Sequence, residues 1–489
     1  MSYKFKPTQE QLNIVKAFAN TRVLKVNAVA GSGKTSTLEL LAEEYKQPSL
    51  LLAFNKAIAD EAALRFPSHV TCKTMNSVAY AAFGKALQHK LNFNKNPKLN
   101  TMRSIKNTVE WFGLQDYTQA VPVINPRVIT GLAKEAVTRF CHSSRSKISE
   151  QDLYYKDFKD LEKVHEFDTH HLSRVVVNLA KLIWNEQTNP MSLAACTHDT
   201  YVKLWSLSNP KLNYDILYID ESQDINPCIL HVLQQQTCKV LYVGDQYQSI
   251  YGFRGAVNAM KNIIAPTMHL SQSWRYGEAV ADVAECILHK DYVQVKGNSS
   301  IDSKLTHIDF NQQHTVIFRT NAGLLNYAED LMDKGVVLSI AIDIKNFIQQ
   351  INSIIELRKG NKPFHDNIAR FGSFAELLEY AKESVETQRM ITTALRPDVE
   401  LFINKLETNA KATNPTAILT TAHKSKGLEF DNVVIADDFK FGEKDLLDMP
   451  EQEINLLYVA CTRAKRKLQL PVVLQTYYED FIQGLSDGL

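Results

Sequence analysis

The stretch that decides the fold is residues 23–44, VLKVNAVAGSGKTSTLELLAEE. A short apolar run leads into a glycine-rich loop, and the loop leads into a run of helix-forming residues. This order predicts a phosphate-binding loop at residues 28–35, although Ala28 stands where a glycine is usual. The glycines let backbone N–H groups face phosphate oxygens, and the following helix N-terminus adds partial positive charge. Lys34 is expected to reach the β- and γ-phosphates of a nucleotide, and the Thr35 hydroxyl to bind Mg²⁺.

A second motif follows a hydrophobic strand at residues 216–219, where the chain continues as DESQD. Asp220 is expected to hold Mg²⁺, directly or through water, and Glu221 to orient and deprotonate an attacking water. Asp224 is the third carboxylate of this run. The alternative is a solvated acidic turn after a buried strand, but the upstream phosphate loop favours a metal and water site.

The bulk composition is that of an ordinary globular protein, with 489 residues, 45% hydrophobic and 22% charged. This length allows about two to four domains. The formal net charge of +1 does not indicate a nucleic-acid partner, so any DNA contact must come from a local groove.

The seven cysteines are scattered and include no CxxC pair, which predicts reduced thiols. The spacing of Cys141 with His142, and of Cys196 with His198, does not match a zinc site. No apolar run approaches the length of a bilayer span, so we expect a cytoplasmic protein, nucleoid-associated in a bacterium or nuclear in a eukaryote.

Short β-branched runs alternate with longer helical patterns, which predicts an α/β fold with parallel sheets and crossover helices. The predicted strands are residues 23–27, 50–54, 216–219, 240–243, 316–319, 417–421, 432–436 and 467–471. Two helical stretches without motifs interrupt the alternation. The sequence therefore predicts two α/β cores, residues 1–80 with 198–270 and residues 271–356 with 416–489, and two helical insertions, residues 81–197 and 357–415.

Further motifs follow in a fixed order, and together they resemble the UvrD/Rep/PcrA group of superfamily 1A helicases. They are LLAFNKAIADE (51–61), KTMNS (73–77), GDQYQSIYGFRGA (244–256), SQSWRYG (271–277), TAHKSKGLEFD (421–431) and LLYVACTRAK (456–465). The resemblance implies two RecA-like parallel-sheet cores, 1A and 2A, with a helical insertion 1B and a reduced helical insertion 2B. It also implies that ATP and Mg²⁺ bind between the two cores.

The resemblance assigns a set of residues to the nucleotide. Gln11 would read the adenine edge, Trp274 would stack on adenine, and Glu429 would lie near the ribose. Gln248 would sense the γ-phosphate, and two arginine fingers would reach the phosphates. The fingers are Arg275 and Arg463, and the loop residues that would bind phosphate are Ala30, Gly31, Ser32, Gly33, Lys34, Thr35 and Ser36.

A second set would contact single-stranded DNA through bases and phosphates. Its members are Phe54, Asn55, Lys56, Thr74, Asn76, Tyr251, Phe253, Arg254, His423, Lys424 and Ser425. The chain departs from the family at Met75 and Asn76, where an aromatic residue and a histidine are usual. Plain core packing is the alternative for one of the two aromatic residues Tyr251 and Phe253, since buried aromatics are common at strand ends.

The resemblance implies an ATP-dependent helicase that moves 3′→5′ along single-stranded DNA and acts at junctions with duplex, in repair, recombination or replication. The segment THDTYVKLW (197–205) and the sequence SWRYG look most like the helicase part of F-box DNA helicases. Three alternatives remain open. The chain could be an ATPase that strips proteins from DNA without unwinding it, an ATP-switched subunit of a larger complex such as one for phage defence, or an enzyme that acts on RNA.

Overall fold

The computed structural model describes residues 6–91, 102–252, 258–382, 384–409, 412, 414–441 and 449–487. Within these ranges the chain forms two six-stranded sheets in which all paired strands are parallel. The predicted fold class, two parallel-sheet cores with helical insertions, is confirmed. Parallel strands connected by helices bury both faces of a sheet and bring the strand ends that hold ligands to one edge.

The first sheet has the strand order β3-β2-β6-β7-β1-β8. Its strands are β1 (Val23–Ala28), β2 (Ser49–Ala53), β3 (Val70–Thr74), β6 (Ile216–Ile219), β7 (Lys239–Gly244) and β8 (Thr267–Leu270). The helices around this sheet are α1 (Gln9–Ala19), α2 (Lys34–Glu44), α3 (Lys56–Arg65), α4 (Met75–Ala82), α10 (His198–Leu207), α11 (Pro227–Gln234) and α12 (Ala259–Asn262).

The second sheet has the order β11-β12-β10-β13-β14-β9. Its strands are β9 (Lys304–Leu305), β10 (His314–Phe318), β11 (Leu338–Ile340), β12 (Ala417–Thr421), β13 (Phe430–Ile435) and β14 (Ala464–Gln469). The helices that accompany it are α13 (Glu278–Leu288), α14 (Asn321–Asp333), α20 (Ala422–Ser425), α21 (Glu451–Cys461) and α22 (Val472–Asp487).

The first insertion is helical, as predicted, except for one short antiparallel ladder that sequence reasoning missed. Its helices are α5 (Gln88–Leu91), α6 (Ile105–Phe112), α7 (Pro126–His142), α8 (Tyr155–Glu162) and α9 (Thr169–Thr188). The ladder pairs β4 (Ala120–Val121) with β5 (Glu166–Phe167). Helices α7 and α9 pack along each other and share a hydrophobic cluster of their own, so the insertion has a core separate from the sheet.

The helices of the predicted second insertion, residues 357–415, pack around α15 (Ile344–Arg358), most of which precedes that range. The others are α16 (Asp366–Ala369), α17 (Phe374–Ala381), α18 (Val385–Leu395) and α19 (Val399–Asn409). The two insertions touch, because the Ile105 N–H donates to the Asp366 carboxylate at 3.0 Å and the His165 ring lies 3.3 Å from Glu376. The helical segments of the two halves are therefore in direct contact.

Three lysines are used inside the fold to complete helix C-termini. The ammonium of Lys90 donates to three carbonyls at the end of α9, and that of Lys203 donates to the Ser143 and Arg145 carbonyls after α7. Lys239 does the same for the last carbonyls of α1. Carbonyls at a helix C-terminus lack intrahelical donors and carry partial negative charge, so a lysine there satisfies both needs.

Two negative findings concern the described ranges alone. No helix in them combines the length and apolarity that crossing a membrane requires. Nor do three or more His, Cys, Asp or Glu side chains in these ranges gather in a way that could hold a metal ion.

Candidate active site

The loop between β1 and α2 has the backbone expected of a phosphate cradle. Gly31 and Gly33 have φ values of 77° and 82°, in the left-handed region where only glycine is unstrained. A Cβ atom placed on Gly31 would lie 2.6 Å from the Cβ of Arg275. The Ser32 hydroxyl is buried and has no hydrogen-bond partner. A tight loop with a free buried hydroxyl at a helix N-terminus fits the binding of phosphate oxygens.

Lys34 faces the acidic end of β6. Its Nζ lies 2.8 Å from the carboxylate of Glu221, which itself has a left-handed φ of 49°. Burial opposes the charge of Lys34, but the Glu221, Asp220 and Asp245 carboxylates outweigh it and raise the pKa of the ammonium. Burial also opposes the charge of Glu221, and Lys34 overcomes it and lowers the pKa of that carboxyl. Both groups therefore stay charged and paired.

Asp220 and Thr35 are the residues expected to hold Mg²⁺, and they follow β6 and Lys34, respectively. Burial raises the pKa of Asp220, and the neighbouring Glu221 adds to the rise. One Asp220 oxygen accepts the Glu221 N–H at 2.9 Å, which orients the carboxylate. Mg²⁺ is usually held by one or two protein oxygens together with substrate phosphates, so a carboxylate and a hydroxyl beside a phosphate loop suit it.

The strand next to β6 supplies a second acidic residue. Asp245, at the end of β7, is fully buried and accepts a hydrogen bond from the Gln248 amide at 2.8 Å. Its N–H donates to Gln223, whose amide in turn donates to Glu221. Burial raises the pKa of Asp245. Gln248, the expected γ-phosphate sensor, is thus connected to Glu221 through a short chain of hydrogen bonds.

The two arginines come from the second core and lie close to each other, and Arg275 lies against the loop. The Nε of Arg275 donates to Glu429 at 2.7 Å, and its Nη1 donates to the Thr462 carbonyl. Arg463 is buried and donates to Val459, Leu428 and Thr462 within its own core. Burial lowers the pKa of Arg463 to about 9, with Arg275 contributing. The structure therefore places Arg275 against the phosphate loop, whereas the Arg463 guanidinium is occupied by its own core.

The residues expected at the adenine lie around Gly33. Trp274 is 51% exposed, and both its ring and the Gln11 amide would lie within 4 Å of a Cβ on Gly33. Gln11 is buried, and its amide is already used: it accepts the Thr8 N–H and donates to Thr37 at 3.0 Å. Trp274 is thus open to a base, whereas Gln11 must exchange a partner to reach one.

Three residues of the expected DNA surface form an aromatic group that joins the two cores. The Phe54 and Tyr251 rings stack with centroids 6.5 Å apart, and the His423 ring lies 6.5 Å from Tyr251. Phe54 is 52% exposed, so a base can reach one face of this group. Aromatic faces bind bases with little regard to sequence.

The other expected DNA residues are placed unequally. Asn55 and Thr74 cap α3 and α4 through their side chains, while Lys56, Asn76 and Lys424 are exposed. Met75 is buried in the core of the first sheet. Ser425 is also buried, and its hydroxyl donates to the Ala422 carbonyl, so its side chain presents no surface to a strand in this arrangement. Phe253 and Arg254 lie outside the described residues.

Sequence reasoning missed a contact between the cores at Lys426. Its ammonium donates to Asp224 at 2.6 Å and to the Gln248 carbonyl at 2.7 Å, and it lies 5.0 Å from the centre of the Tyr251 ring. Burial raises the pKa of Asp224 to about 6, although Lys426 opposes the rise. A lysine one step beyond the quoted His423, Lys424 and Ser425 was the available signal.

Two domain models from one protein family match the chain. The UvrD/REP helicase N-terminal domain matches residues 7–265, and the UvrD-like helicase C-terminal domain matches residues 416–470. The matched segments contain the phosphate loop, the acidic turn and Arg463.

Individual proteins are similar over most of the chain. F-box DNA helicase 1 of Gallus gallus is 32% identical over 96% of this chain and 49% of its own length. F-box DNA helicase protein 1 of Schizosaccharomyces pombe is 30% identical over 96% of this chain and 58% of its own length. Gabija protein GajB of Bacillus cereus is 22% identical over 56% of this chain.

The chain spans about half the length of the F-box relatives that it matches. The resemblance drawn from the motifs is confirmed, including the likeness to F-box DNA helicases. Since the N-terminal domain model alone matches residues 7–265 of 489, the chain belongs to the UvrD/REP helicase family.

Proposed function

We propose that the chain is an ATP-dependent DNA helicase that hydrolyses ATP between its two cores and moves 3′→5′ along single-stranded DNA. One observation carries the proposal. The phosphate loop with Lys34 faces Glu221 on the same sheet, and Arg275 of the other core lies against Gly31 of that loop. A phosphoryl group bound there would be surrounded by positive charge from both cores, which phosphoryl transfer requires.

The charged pairs indicate what nucleotide binding must rearrange. Lys34 can bind the β- and γ-phosphates only after its ion pair with Glu221 breaks. Arg275 can bind them only after its ion pair with Glu429 breaks. The released Glu221 can then accept a proton from a water that attacks the γ-phosphorus, while the bond to the ADP oxygen breaks. Mg²⁺ held by Asp220 and Thr35 would supply neutralisation of the phosphate charge.

Hydrolysis can change the separation of the cores because both cores contribute to one charged site. Arg463 reaches the site only if its guanidinium exchanges its present acceptors, Val459 and Leu428, for phosphate oxygens. An arginine finger is worth roughly a thousandfold or more in rate, so turnover depends on that exchange. After hydrolysis the charge between the cores changes and the cores can separate.

The DNA would lie across both cores at the aromatic group formed by Phe54, Tyr251 and His423. Alternating grip by the first core (Phe54, Tyr251) and the second (His423, Lys424) would convert closure into movement. The direction of movement and the preference for junctions are proposed from the likeness of SIYGFRGA and HKSKGLEFD to the 3′→5′ branch.

The test is ATP hydrolysis with and without single-stranded DNA, followed by unwinding of 3′-tailed and 5′-tailed duplexes. We expect DNA-stimulated turnover and unwinding of the 3′-tailed substrate. Unwinding of the 5′-tailed substrate alone would contradict the polarity. Stimulated turnover with streptavidin displacement but no strand separation would favour the protein-stripping alternative, and stimulation by RNA alone would contradict the DNA substrate.

A further inference from the structure

The hydroxyl of Tyr458 connects the second core directly to the phosphate loop. Tyr458 lies on α21, is fully buried, and packs edge-on against the ring of Tyr247 with centroids 6.2 Å apart. Its oxygen accepts the N–H of Ala30 at 2.9 Å and donates its proton to Asp245 at 3.1 Å. One hydroxyl of the second core is thus hydrogen-bonded to two residues of the first core, Ala30 and Asp245.

The beginning of the phosphate loop is held by the second half of the chain on three sides. The Ala30 N–H donates to Tyr458, and the Ala30 carbonyl accepts from the Ser273 hydroxyl at 2.9 Å. The Gly31 carbonyl accepts from the Trp274 N–H at 2.8 Å. A movement of the second core therefore changes the hydrogen bonds of the loop itself.

Asp245 connects the same hydroxyl to the residues expected at the γ-phosphate. One Asp245 oxygen accepts from Tyr458 and from the Gln248 amide, and the other accepts the Tyr247 N–H. Burial and the Asp245 charge raise the pKa of Tyr458, so the phenol keeps the proton that it donates. Loss of this donor would leave the buried Asp245 carboxylate with only the Gln248 amide and the Tyr247 N–H among these partners, and would loosen the carboxylate that orients Gln248.

Helix α21 leads directly to Arg463. The backbone N–H of Arg463 donates to Ala460, and its Nε donates to the Val459 carbonyl, so the arginine follows Tyr458 by a little more than one helical turn. A shift of α21 moves Tyr458 and Arg463 together. Helix α21 thereby connects the hydrogen bond at the phosphate loop to the position of Arg463.

We propose that Tyr458 is a positioning residue that couples closure of the second core to the phosphate loop and to Gln248, so that DNA bound across both cores accelerates ATP hydrolysis. The inference rests on the proposed DNA-stimulated ATPase activity. It does not require Tyr458 to touch the nucleotide. The coupling acts through the Ala30 N–H and through Asp245.

The test is Tyr458→Phe, which removes one oxygen and leaves the packed ring. We expect DNA-stimulated kcat to fall by about tenfold or more, the KM for ATP to change by less than about threefold, and the melting temperature to stay within about 3 °C. We also expect a non-hydrolysable ATP analogue to change the affinity for a fluorescent DNA oligonucleotide less than it does in the wild type. The matched control is Tyr242→Phe, the same change at a buried tyrosine of β7 in the core of the first sheet.

The outcomes separate the inference from the proposed function. A wild-type protein without DNA-stimulated turnover would overturn both. Normal stimulation and normal coupling in Tyr458→Phe would overturn the inference and leave the proposed function standing. A variant in which kcat and the melting temperature fall while KM rises would show a structural role only, and would also overturn the inference. Loss of stimulation and coupling in Tyr458→Phe, with Tyr242→Phe unaffected, supports it.

Discussion

Lys34 and Glu221 lie 2.8 Å apart, so the lysine expected to hold phosphate and the carboxylate expected to activate water neutralise each other. The ion pair explains how the Lys34 ammonium and the Glu221 carboxylate can both remain charged although they are largely buried. Each partner stabilises the charged form of the other, as their opposite pKa shifts indicate. Under the proposed function, a nucleotide that draws Lys34 to its phosphates would release Glu221 to act as the base.

Glu221→Gln is expected to stop turnover while keeping ATP binding. An amide cannot accept the proton of the attacking water, so kcat should fall by about a hundredfold or more. Fluorescent nucleotide binding and steady-state ATPase assays measure the two properties separately. Glu61→Gln, at an exposed carboxylate of α3 paired with Arg65, is the matched control. Wild-type turnover from Glu221→Gln would refute its role as the base.

Lys426→Met is expected to destabilise the protein by about 3 kcal/mol, because it leaves the carboxylate of Asp224 buried without its cationic partner. Asp224→Asn should cost less, since burial already brings the pKa of this carboxyl to about 6. Denaturant unfolding of both single variants and the double variant gives the coupling energy. If the single effects add without coupling, the ion pair does not hold the two cores together.

Phe54→Ala is expected to weaken single-stranded DNA binding by about tenfold, because it removes an exposed ring that stacks on Tyr251. DNA-stimulated ATPase at low DNA concentration should fall more than basal ATPase. Fluorescence anisotropy with a short oligonucleotide measures the affinity. Leu64→Ala removes an exposed apolar residue of α3, 88% exposed, and is the control. Equal losses from both variants would argue against a stacking surface at Phe54.

Asp157→Asn is expected to stabilise the protein at neutral pH only. Burial, with Glu135 contributing, raises the pKa of Asp157 to about 6 in the folded chain, above the value of about 3.9 for an unfolded aspartate. The folded state therefore binds more protons between these values, so the contribution of Asp157 to stability is fully present below about pH 4 and is lost as the pH rises through about 6. Because the group is partly exposed, the gain at pH 7.5 should be about 1 kcal/mol.

Thermal and denaturant unfolding at pH 4 and pH 7.5 measure this difference. Asp160→Asn, one turn along α8, is the control, because Asp160 pairs with Lys163 at 3.0 Å and its removal should bring no gain. A gain from Asp157→Asn that is equal at both pH values would exclude titration of this carboxyl as the cause.

The sequence predicted the central strands of both sheets better than the edges. All eight predicted strands exist, with ends shifted by at most three residues. Strands β2, β6 and β7 have the continuous apolar runs that are typical of strands buried on both faces. The strands missed in the two sheets are β3, β8, β9 and β11. All four lie at sheet edges, and β9 has only two residues, so short length and partly exposed side chains weaken the apolar signal.

Lys34, Asp220 and Glu221 were singled out from their local sequence context, and the structure brings Lys34 and Glu221 into contact. Contacts that depend on how the cores meet were not predictable. Tyr458 stands in the apolar run LLYVAC and looks like core, and Lys426 acquires its partner only because β12 and β6 belong to facing sheets. Ser425 is buried because it lies in the short helix α20, which is too short to show a helical repeat of apolar residues in the sequence.

Because some lysines are buried at helix ends, the positive charge at the protein surface is smaller than the lysine count of the sequence indicates. Lys90 and Lys203 are nearly inaccessible to water, and their ammonium groups donate hydrogen bonds to main-chain carbonyls. Counting Lys90 and Lys203 as surface charge would therefore overestimate the attraction of this protein for a polyanion such as DNA. Replacing either lysine in a search for nucleic-acid contacts would loosen a helix end, and the resulting loss of affinity would be mistaken for a lost phosphate contact.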